Sequence, residues 1–145
     1  MCSSDLDAAV TAALTLGVVD GFNSGIGGGC FILVRTADGK VIALDARETA
    51  PHAAFRELYI REGEARPELS STGPLAVATP GALAGYADIL KRLGRRSLAE
   101  ALEPGRKLAA DGFILDANYV AQIRATQADL AKFPDRKSTR LNSSH

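Results

Sequence analysis

The order of apolar and polar positions predicts a chain that begins with a buried helix and continues into a β-hairpin. Residues 8–19 are rich in Ala and Leu and lack strict alternation, which favours a buried helix. After a glycine-rich loop, two apolar runs at residues 30–35 and 40–45 flank Asp38-Gly39, a dipeptide suited to a tight turn. Successive residues of both runs are apolar, so we expect other layers to cover both faces of this hairpin.

The middle of the chain predicts a short helix at residues 53–58 and a turn at residues 63–67. Thr79 is a suitable N-cap for a helix whose first residue is Pro80, because a missing N–H costs nothing there. Apolar residues between positions 83 and 93 then recur at helical spacing, which indicates an amphipathic helix.

Capping residues predict two further helices. Ser97 and Glu100 have the spacing of a capping box. Pro104 should interrupt or restart the helix that they begin, and Gly112 is a natural C-terminal stop. Asp116 is predicted to cap the last helix.

The two ends of the chain differ from its middle. Residues 1–6 and 137–145 resemble translated adapter sequence, and beyond Pro134 the only apolar side chain is Leu141. Such a tail cannot offset its ordering entropy by burial. We therefore expect a non-native or disordered leader at 1–6, one domain at 7–134, and a non-native or disordered tail at 135–145.

Composition argues against several classes of partner. The 145 residues include 17 basic and 17 acidic side chains, so the formal net charge is zero. This balance does not favour binding to nucleic acid or to an anionic membrane, and no apolar run approaches the roughly 20 residues of a membrane helix. His52 and His145 are the only histidines, and no Cys, His and carboxylate group has metal-ligand spacing, so we expect no metal site.

The sequence gives only weak support to nucleotide binding and to catalysis by a cysteine. The glycines of residues 25–29 resemble a nucleotide-binding loop, but they precede a strand, whereas a phosphate-binding loop follows one and opens a helix. Close backbone packing at the entrance to the strand is the better interpretation. Cys30 and His52 could form a nucleophile and a base, yet no third residue stands at a recognisable position to orient them. A free cysteine at the head of an apolar strand is usually a core residue.

Arg47 is the strongest candidate for binding. It directly follows the second apolar run, and loops at the ends of strands commonly carry ligand contacts. The planar fork of an arginine matches a carboxylate. Taken alone, the sequence nevertheless favours a surface ion pair with Glu48 or Asp45.

Five segments have the order and spacing found in gamma-glutamyltranspeptidases, and the chain resembles that family over nearly all of residues 7–134. They are Asp7-Ala-Ala-Val10, Asn23-Ser-Gly-Ile-Gly-Gly-Gly29, Asp45-Ala-Arg-Glu-Thr-Ala-Pro51, Thr79-Pro-Gly-Ala-Leu-Ala-Gly85 and Lys107-Leu-Ala-Ala-Asp-Gly-Phe113. The resemblance implies an α/β fold, namely a partial αββα sandwich of the N-terminal-nucleophile hydrolase type. The chain would be an early piece of the large subunit, truncated at both ends.

The resemblance also implies an activity. Members of the family cleave their own precursor, and the threonine that this exposes attacks a γ-glutamyl amide, typically that of glutathione. The acyl group then passes to water, an amino acid or a peptide. Arg47 matches the arginine that holds the α-carboxylate of the γ-glutamyl group. The expected partners are the rest of the large subunit and the small subunit, without a cofactor, in a periplasmic or extracellular parent protein.

The chain also departs from the family pattern. No threonine is followed by Thr or His, so the Thr-Thr-His start of the small subunit is absent. We therefore expect no catalytic residue on this chain and no activity from it alone. Related acylases that cleave glutaryl or cephalosporin side chains share the architecture, and a non-catalytic α/β binding module remains a further alternative.

Overall fold

The computed structural model describes residues 3–132, which form four helices and two small antiparallel hairpins. The longer elements are α1 (Ser3–Val19), β1 (Cys30–Arg35), β2 (Val41–Ala46), α2 (Ala82–Leu93), α3 (Leu98–Asp111) and α4 (Ala117–Leu130). Between β2 and α2 lie β3 (Ile60–Arg61), β4 (Glu64–Ala65) and two 3-10 turns, Pro67–Ser70 and Pro74–Ala76. The tail predicted at 135–145 lies outside the described residues.

The core forms where α2 packs on one face of the β1–β2 hairpin and against α1 and α3. Leu6, Val10 and Leu14 follow one another at four-residue spacing and so make one buried row along α1. This row packs with Val34 of β1 and with Ile89 of α2, the most completely buried large side chain described. The covered face of the hairpin is therefore set by contacts between residues far apart in the sequence.

The hairpin confirms the predicted turn and shows one of the two predicted covering layers. Its register runs from Cys30 opposite Ala46 to Arg35 opposite Val41, and Gly39 supplies the positive φ of the turn (87°). The second strand begins one residue later than expected. Side chains alternate, so the face that carries Leu33 (71% exposed) and Val41 (67% exposed) is open within residues 3–132. Only one face of the hairpin is covered there, where two were expected.

The predicted start of α2 is wrong. Thr79 does not cap the helix, because its backbone pairs with Thr49 in an isolated bridge (N–O distances 2.9 and 3.2 Å). The helix begins at Ala82 with Gly81 as N-cap, and no side chain caps it. Instead, the N–H groups of Gly81 and Ala82 both donate to the carbonyl oxygen of Gly28 at 3.1 Å. A loop carbonyl thus satisfies the first orphan donors of the helix.

The capping box of α3 is confirmed, whereas the predicted break at Pro104 is not. The Ser97 hydroxyl accepts from the Glu100 N–H at 3.2 Å, and the Glu100 carboxylate accepts from the Ser97 N–H at 2.8 Å. These hydrogen bonds hold the pKa of Glu100 below its usual value. Pro104 lies inside an unbroken helix. The proline and Glu100, whose carbonyl loses its helical donor there, are both exposed, so water can supply the lost bond.

The predicted end of α3 and the predicted cap of α4 are confirmed, whereas the helix predicted at residues 53–58 does not form. Gly112 ends α3 with φ 85°, and the Asp116 carboxylate caps α4 by accepting from the Tyr119 N–H at 2.7 Å. Residues 53–58 form turns instead of the expected helix, because Phe55 and its neighbours have no core surface to pack against and stay exposed.

Asp7 ties the first helix to the connection between α2 and α3. The side chain is only 6% exposed, and its carboxylate accepts from the N–H groups of Arg95 (3.0 Å) and Arg96 (3.2 Å). A Cβ atom at Gly94 would lie 2.8 Å from this carboxylate, so the glycine leaves the room it needs. Residues 3–6, assigned to a leader, are helical, and α1 crosses the predicted boundary at residue 7 without a break.

The open face of the hairpin predicts self-association of the 145-residue chain. Exposed apolar strands with unpaired edges are sites of aggregation. Wild-type chain should therefore aggregate or remain loosely packed, while Leu33→Lys with Val41→Lys should sediment as a monomer in analytical ultracentrifugation. Ile114→Lys is the matched control, because Ile114 is 98% exposed but lies outside the sheet, so this variant should behave as wild type. A soluble wild-type monomer with a sharp cooperative melt would contradict the expectation.

The buried carboxylate predicts a large loss of stability in Asp7→Ala. Hydrogen bonds to a charged acceptor contribute about 1.5–3 kcal/mol, so the free energy of unfolding should fall by about that amount. Urea denaturation of the chain that carries the two lysine substitutions measures the change. Asp129→Ala removes an exposed carboxylate paired with Lys132 and should cost less than about 0.5 kcal/mol. Equal losses in the two variants would show that Asp7 does not fix the loop.

Candidate functional site

Arg47 stands at the end of β2, beside the start of α2. The backbone leaves the sheet at this point and enters the Thr49–Thr79 bridge. A shallow groove of about 310 Å³ runs between the end of the strand and the helix, and its lining includes Arg47, Thr49, Thr79, Gly81 and Asp88. The groove combines one cation, Arg47, with two threonines and two carboxylates, Asp45 and Asp88, so its polar groups can contact a ligand that carries both signs of charge.

The guanidinium of Arg47 is half exposed and has two neighbours. Its Nη2 atom lies 3.1 Å from Oε2 of Glu48, and its central carbon lies 5.9 Å from the centroid of the Phe31 ring. Asp45 contacts the residue only through the backbone, because its carboxylate accepts from the Arg47 N–H at 3.0 Å. The pair with Glu48 is thus present, whereas Asp45 forms no ion pair with the side chain.

Glu48 lies against the glycine loop. Its side chain is 26% exposed, and Cβ atoms at Gly28 and Gly29 would lie 3.3 Å and 2.6 Å from its carboxylate oxygens. Oε2 is buried and accepts no hydrogen bond within the described part of the chain, so its contact with Arg47 is a charge contact without hydrogen-bond geometry. With the arginine side chain 54% exposed, such a pair contributes about 0–1 kcal/mol. The guanidinium of Arg47 is therefore held only weakly by Glu48.

The glycine loop packs closely against the backbone, as its place before a strand predicted. Gly29 approaches the Cα of Arg47, and the Gly28 carbonyl is occupied by the two N–H groups of α2. The loop leads into a strand and opens no helix, the reverse of a phosphate-binding loop.

Cys30 and His52 are not brought together. His52 is exposed in a turn, and no hydrogen bond joins it to Cys30 in the region from residue 3 to 132. The half-buried Cys30 lies close to Tyr86 of α2, and burial together with this thiol raises the pKa of the Tyr86 hydroxyl. Tyr86 is a neighbour that sequence reasoning missed, since its only signal was a place on the apolar face of a helix.

Residues 3–132 contain no cluster of three or more His, Cys, Asp or Glu side chains that could hold a metal ion. Within that range, no helix is both long enough and apolar enough to span a membrane.

Comparison with known proteins gives a consistent set of relatives. The family model described as Gamma-glutamyltranspeptidase matches residues 3–144. The chain is 41% identical over 125 residues to Glutathione hydrolase 2 of Arabidopsis thaliana, covering 86% of this chain and 21% of the relative. It is 35% identical over 136 residues to the Acylase ACY 1 proenzyme of Pseudomonas sp. (strain SE83), covering 89% and 24%. The chain therefore spans about a fifth to a quarter of the length of these curated relatives.

A solved structure confirms the fold. The crystal structure of Helicobacter pylori gamma-glutamyltranspeptidase matches with a TM-score of 0.87 at 33% sequence identity, covering 92% of this chain and 38% of that one. The described elements thus form part of the expected α/β fold of the N-terminal-nucleophile hydrolase type, namely a hairpin with helices on one of its faces.

Proposed function

Because the chain belongs to the gamma-glutamyltranspeptidase family, we propose that its parent protein transfers or hydrolyses γ-glutamyl groups, and that Arg47 binds their α-carboxylate. The observation that carries this proposal is the half-exposed guanidinium at the end of β2, beside a shallow groove and held only by a weak ion pair. Glutathione is the expected γ-glutamyl substrate, in keeping with the name of the Arabidopsis relative.

The weak contact with Glu48 leaves the Arg47 guanidinium able to bind the α-carboxylate of a substrate. The exposed contact with Glu48 contributes about 0–1 kcal/mol. A carboxylate that is enclosed with the guanidinium can accept two parallel hydrogen bonds, and loss of one partner of such a pair costs about 2–5 kcal/mol. Because the contact with Glu48 uses Nη2, the other donors of the guanidinium can bind a γ-glutamyl α-carboxylate while this contact persists, and the ion pair with Glu48 is compatible with a role in binding.

The acyl transfer also needs a nucleophile and oxyanion donors. We assign the nucleophile to a threonine outside this chain, at the start of a small subunit, because no threonine here has the Thr-Thr-His context. The word proenzyme in the name of the Pseudomonas relative supports the proposal that the parent protein is a precursor that is processed. The expected partners are the rest of the large subunit and this small subunit, and the expected location is periplasmic or extracellular.

A second candidate function is supported by the 35% identity to the Acylase ACY 1 proenzyme. A glutaryl group keeps the terminal carboxylate of a γ-glutamyl group and lacks only its α-amino group. Arg47 would therefore bind either acyl group, and the residues that distinguish them must contact the amino group. The three relatives reported above are all named as enzymes, which disfavours a non-catalytic binding module.

Replacement of Arg47 tests the proposed carboxylate contact. In the full-length precursor that contains this segment, Arg47→Ala should lower kcat/KM for a γ-glutamyl anilide by roughly 30-fold to several thousand-fold, largely through KM. Arg47→Lys should recover part of the loss, because an ammonium keeps the charge but loses the planar fork. Initial-rate kinetics on both variants measure the effect.

Substrates with and without the carboxylate distinguish a binding role of Arg47 from a structural one. A 4-aminobutyryl anilide lacks the α-carboxylate, so wild type and Arg47→Ala should turn it over at similar rates. A glutaryl anilide keeps the carboxylate and should show the large loss, provided that wild type accepts it. Self-cleavage of the precursor should survive in both variants. If Arg47→Ala loses as much on the 4-aminobutyryl substrate as on the γ-glutamyl one, Arg47 is structural.

The 145-residue chain alone should not hydrolyse a γ-glutamyl anilide. The arginine can bind a carboxylate, but it offers no covalent route to acyl transfer. Release of the aniline by purified chain should equal that in buffer, for wild type and for Cys30→Ala. Turnover that disappears in Cys30→Ala would instead identify Cys30 as a nucleophile.

A further inference from the structure

We infer that Gly29 and Gly81 are positioning residues, which set the place of Arg47 beside the groove by leaving room for its backbone to lie between two neighbouring segments. The inference rests on the proposed role of Arg47 in carboxylate binding. It assigns a specific task to the two glycines of the loop and of the start of α2 that come closest to the arginine.

Gly29 meets the arginine from the entrance of β1. A Cβ atom at position 29 would lie 2.6 Å from the Cα of Arg47 and 2.6 Å from the backbone nitrogen of Glu48. Ordinary van der Waals contact begins at 3.4 Å, so the two backbones would have to separate by about 0.8 Å. These two atoms belong to the backbone, which cannot rotate aside as a side chain can, and the third atom at 2.6 Å is Oε2 of Glu48.

Gly81 meets the same residue from the start of α2. Here a Cβ atom would lie 2.5 Å from the carbonyl oxygen of Ala46 and 2.6 Å from that of Arg47. The φ of Gly81 is −113°, an angle that any residue adopts, so the requirement at this position is space and not backbone freedom.

The two glycines belong to one closed arrangement. The Gly28 carbonyl accepts from the N–H groups of Gly81 and Ala82, which joins the loop to the helix. The Thr49–Thr79 bridge joins the chain after Arg47 to the chain before the helix. The backbone of Arg47 is thus enclosed by segments that are hydrogen-bonded to one another.

The side chain itself has little else to direct it. The contact with Glu48 is partly exposed, and the Phe31 ring at 5.9 Å adds about 0.5–1 kcal/mol at such a site. The region that the guanidinium can reach therefore depends on where the backbone places the Cα atom. A displacement of about 1 Å can cost about 100-fold in rate when a group must meet its target.

The test compares glycine variants of the full-length enzyme on two substrates. Gly29→Ala and Gly81→Ala should each lower kcat/KM for the γ-glutamyl anilide about 10- to 100-fold, with little change for the 4-aminobutyryl anilide that lacks the carboxylate. Gly27→Ala is the matched control, because a methyl group there meets nothing within 4 Å, and it should leave both substrates unaffected. In an Arg47→Ala background, neither glycine variant should add a selective loss.

Each other outcome overturns the inference in a recognisable way. If Arg47→Ala is selective for the γ-glutamyl substrate and the glycine variants are not, the positioning role is wrong and the proposed function stands. If Arg47→Ala also shows no selective loss on the γ-glutamyl substrate, both the positioning role and the proposed role of Arg47 are wrong. Equal losses on the two substrates, or failure of both glycine variants to give self-cleaved protein, would show that these contacts serve the fold as a whole.

Discussion

The site depends on the close approach of three backbone segments at the end of β2. The Gly28 carbonyl accepts the first free N–H groups of α2 at 3.1 Å, and the Thr49–Thr79 bridge holds the chain on the other side of Arg47. These hydrogen bonds start the helix, close one side of the groove and enclose the arginine backbone. Such an approach is possible only where no Cβ atoms intervene, which explains glycine at positions 29 and 81.

Local signals in the sequence predicted the local structure well. The Gly39 turn, the capping box of Ser97 and Glu100 and the Asp116 cap each depend on atoms within a few residues, and all three formed. Thr79 has the same local signal for capping and did not cap, because its backbone pairs with Thr49, thirty residues earlier. No pattern around Thr79 contains that information, so a tertiary contact overrode a correct local preference.

The candidate site was only partly predictable for the same reason. The ion pair between Arg47 and Glu48 follows from their adjacency, and the close packing of the glycine loop follows from its place before a strand. The contact of Glu48 with Gly29, the Phe31 ring beside the guanidinium and the approach of Gly81 join distant segments. The alternation of covered and exposed side chains along β1 and β2 could not be predicted either, because apolar residues occupy the open face as well as the covered one.

The arrangement explains how an arginine can be paired and still available. The buried Oε2 of Glu48 accepts no hydrogen bond within residues 3–132, and its charge contact with Arg47 offsets only part of the cost of burying it. The contact uses Nη2, so most donors of the fork remain free for a second carboxylate. Because the enclosed backbone is already ordered, a ligand need order only the arginine side chain. A carboxylate bound by Arg47 would therefore meet a backbone held by hydrogen bonds and a side chain that is only weakly held.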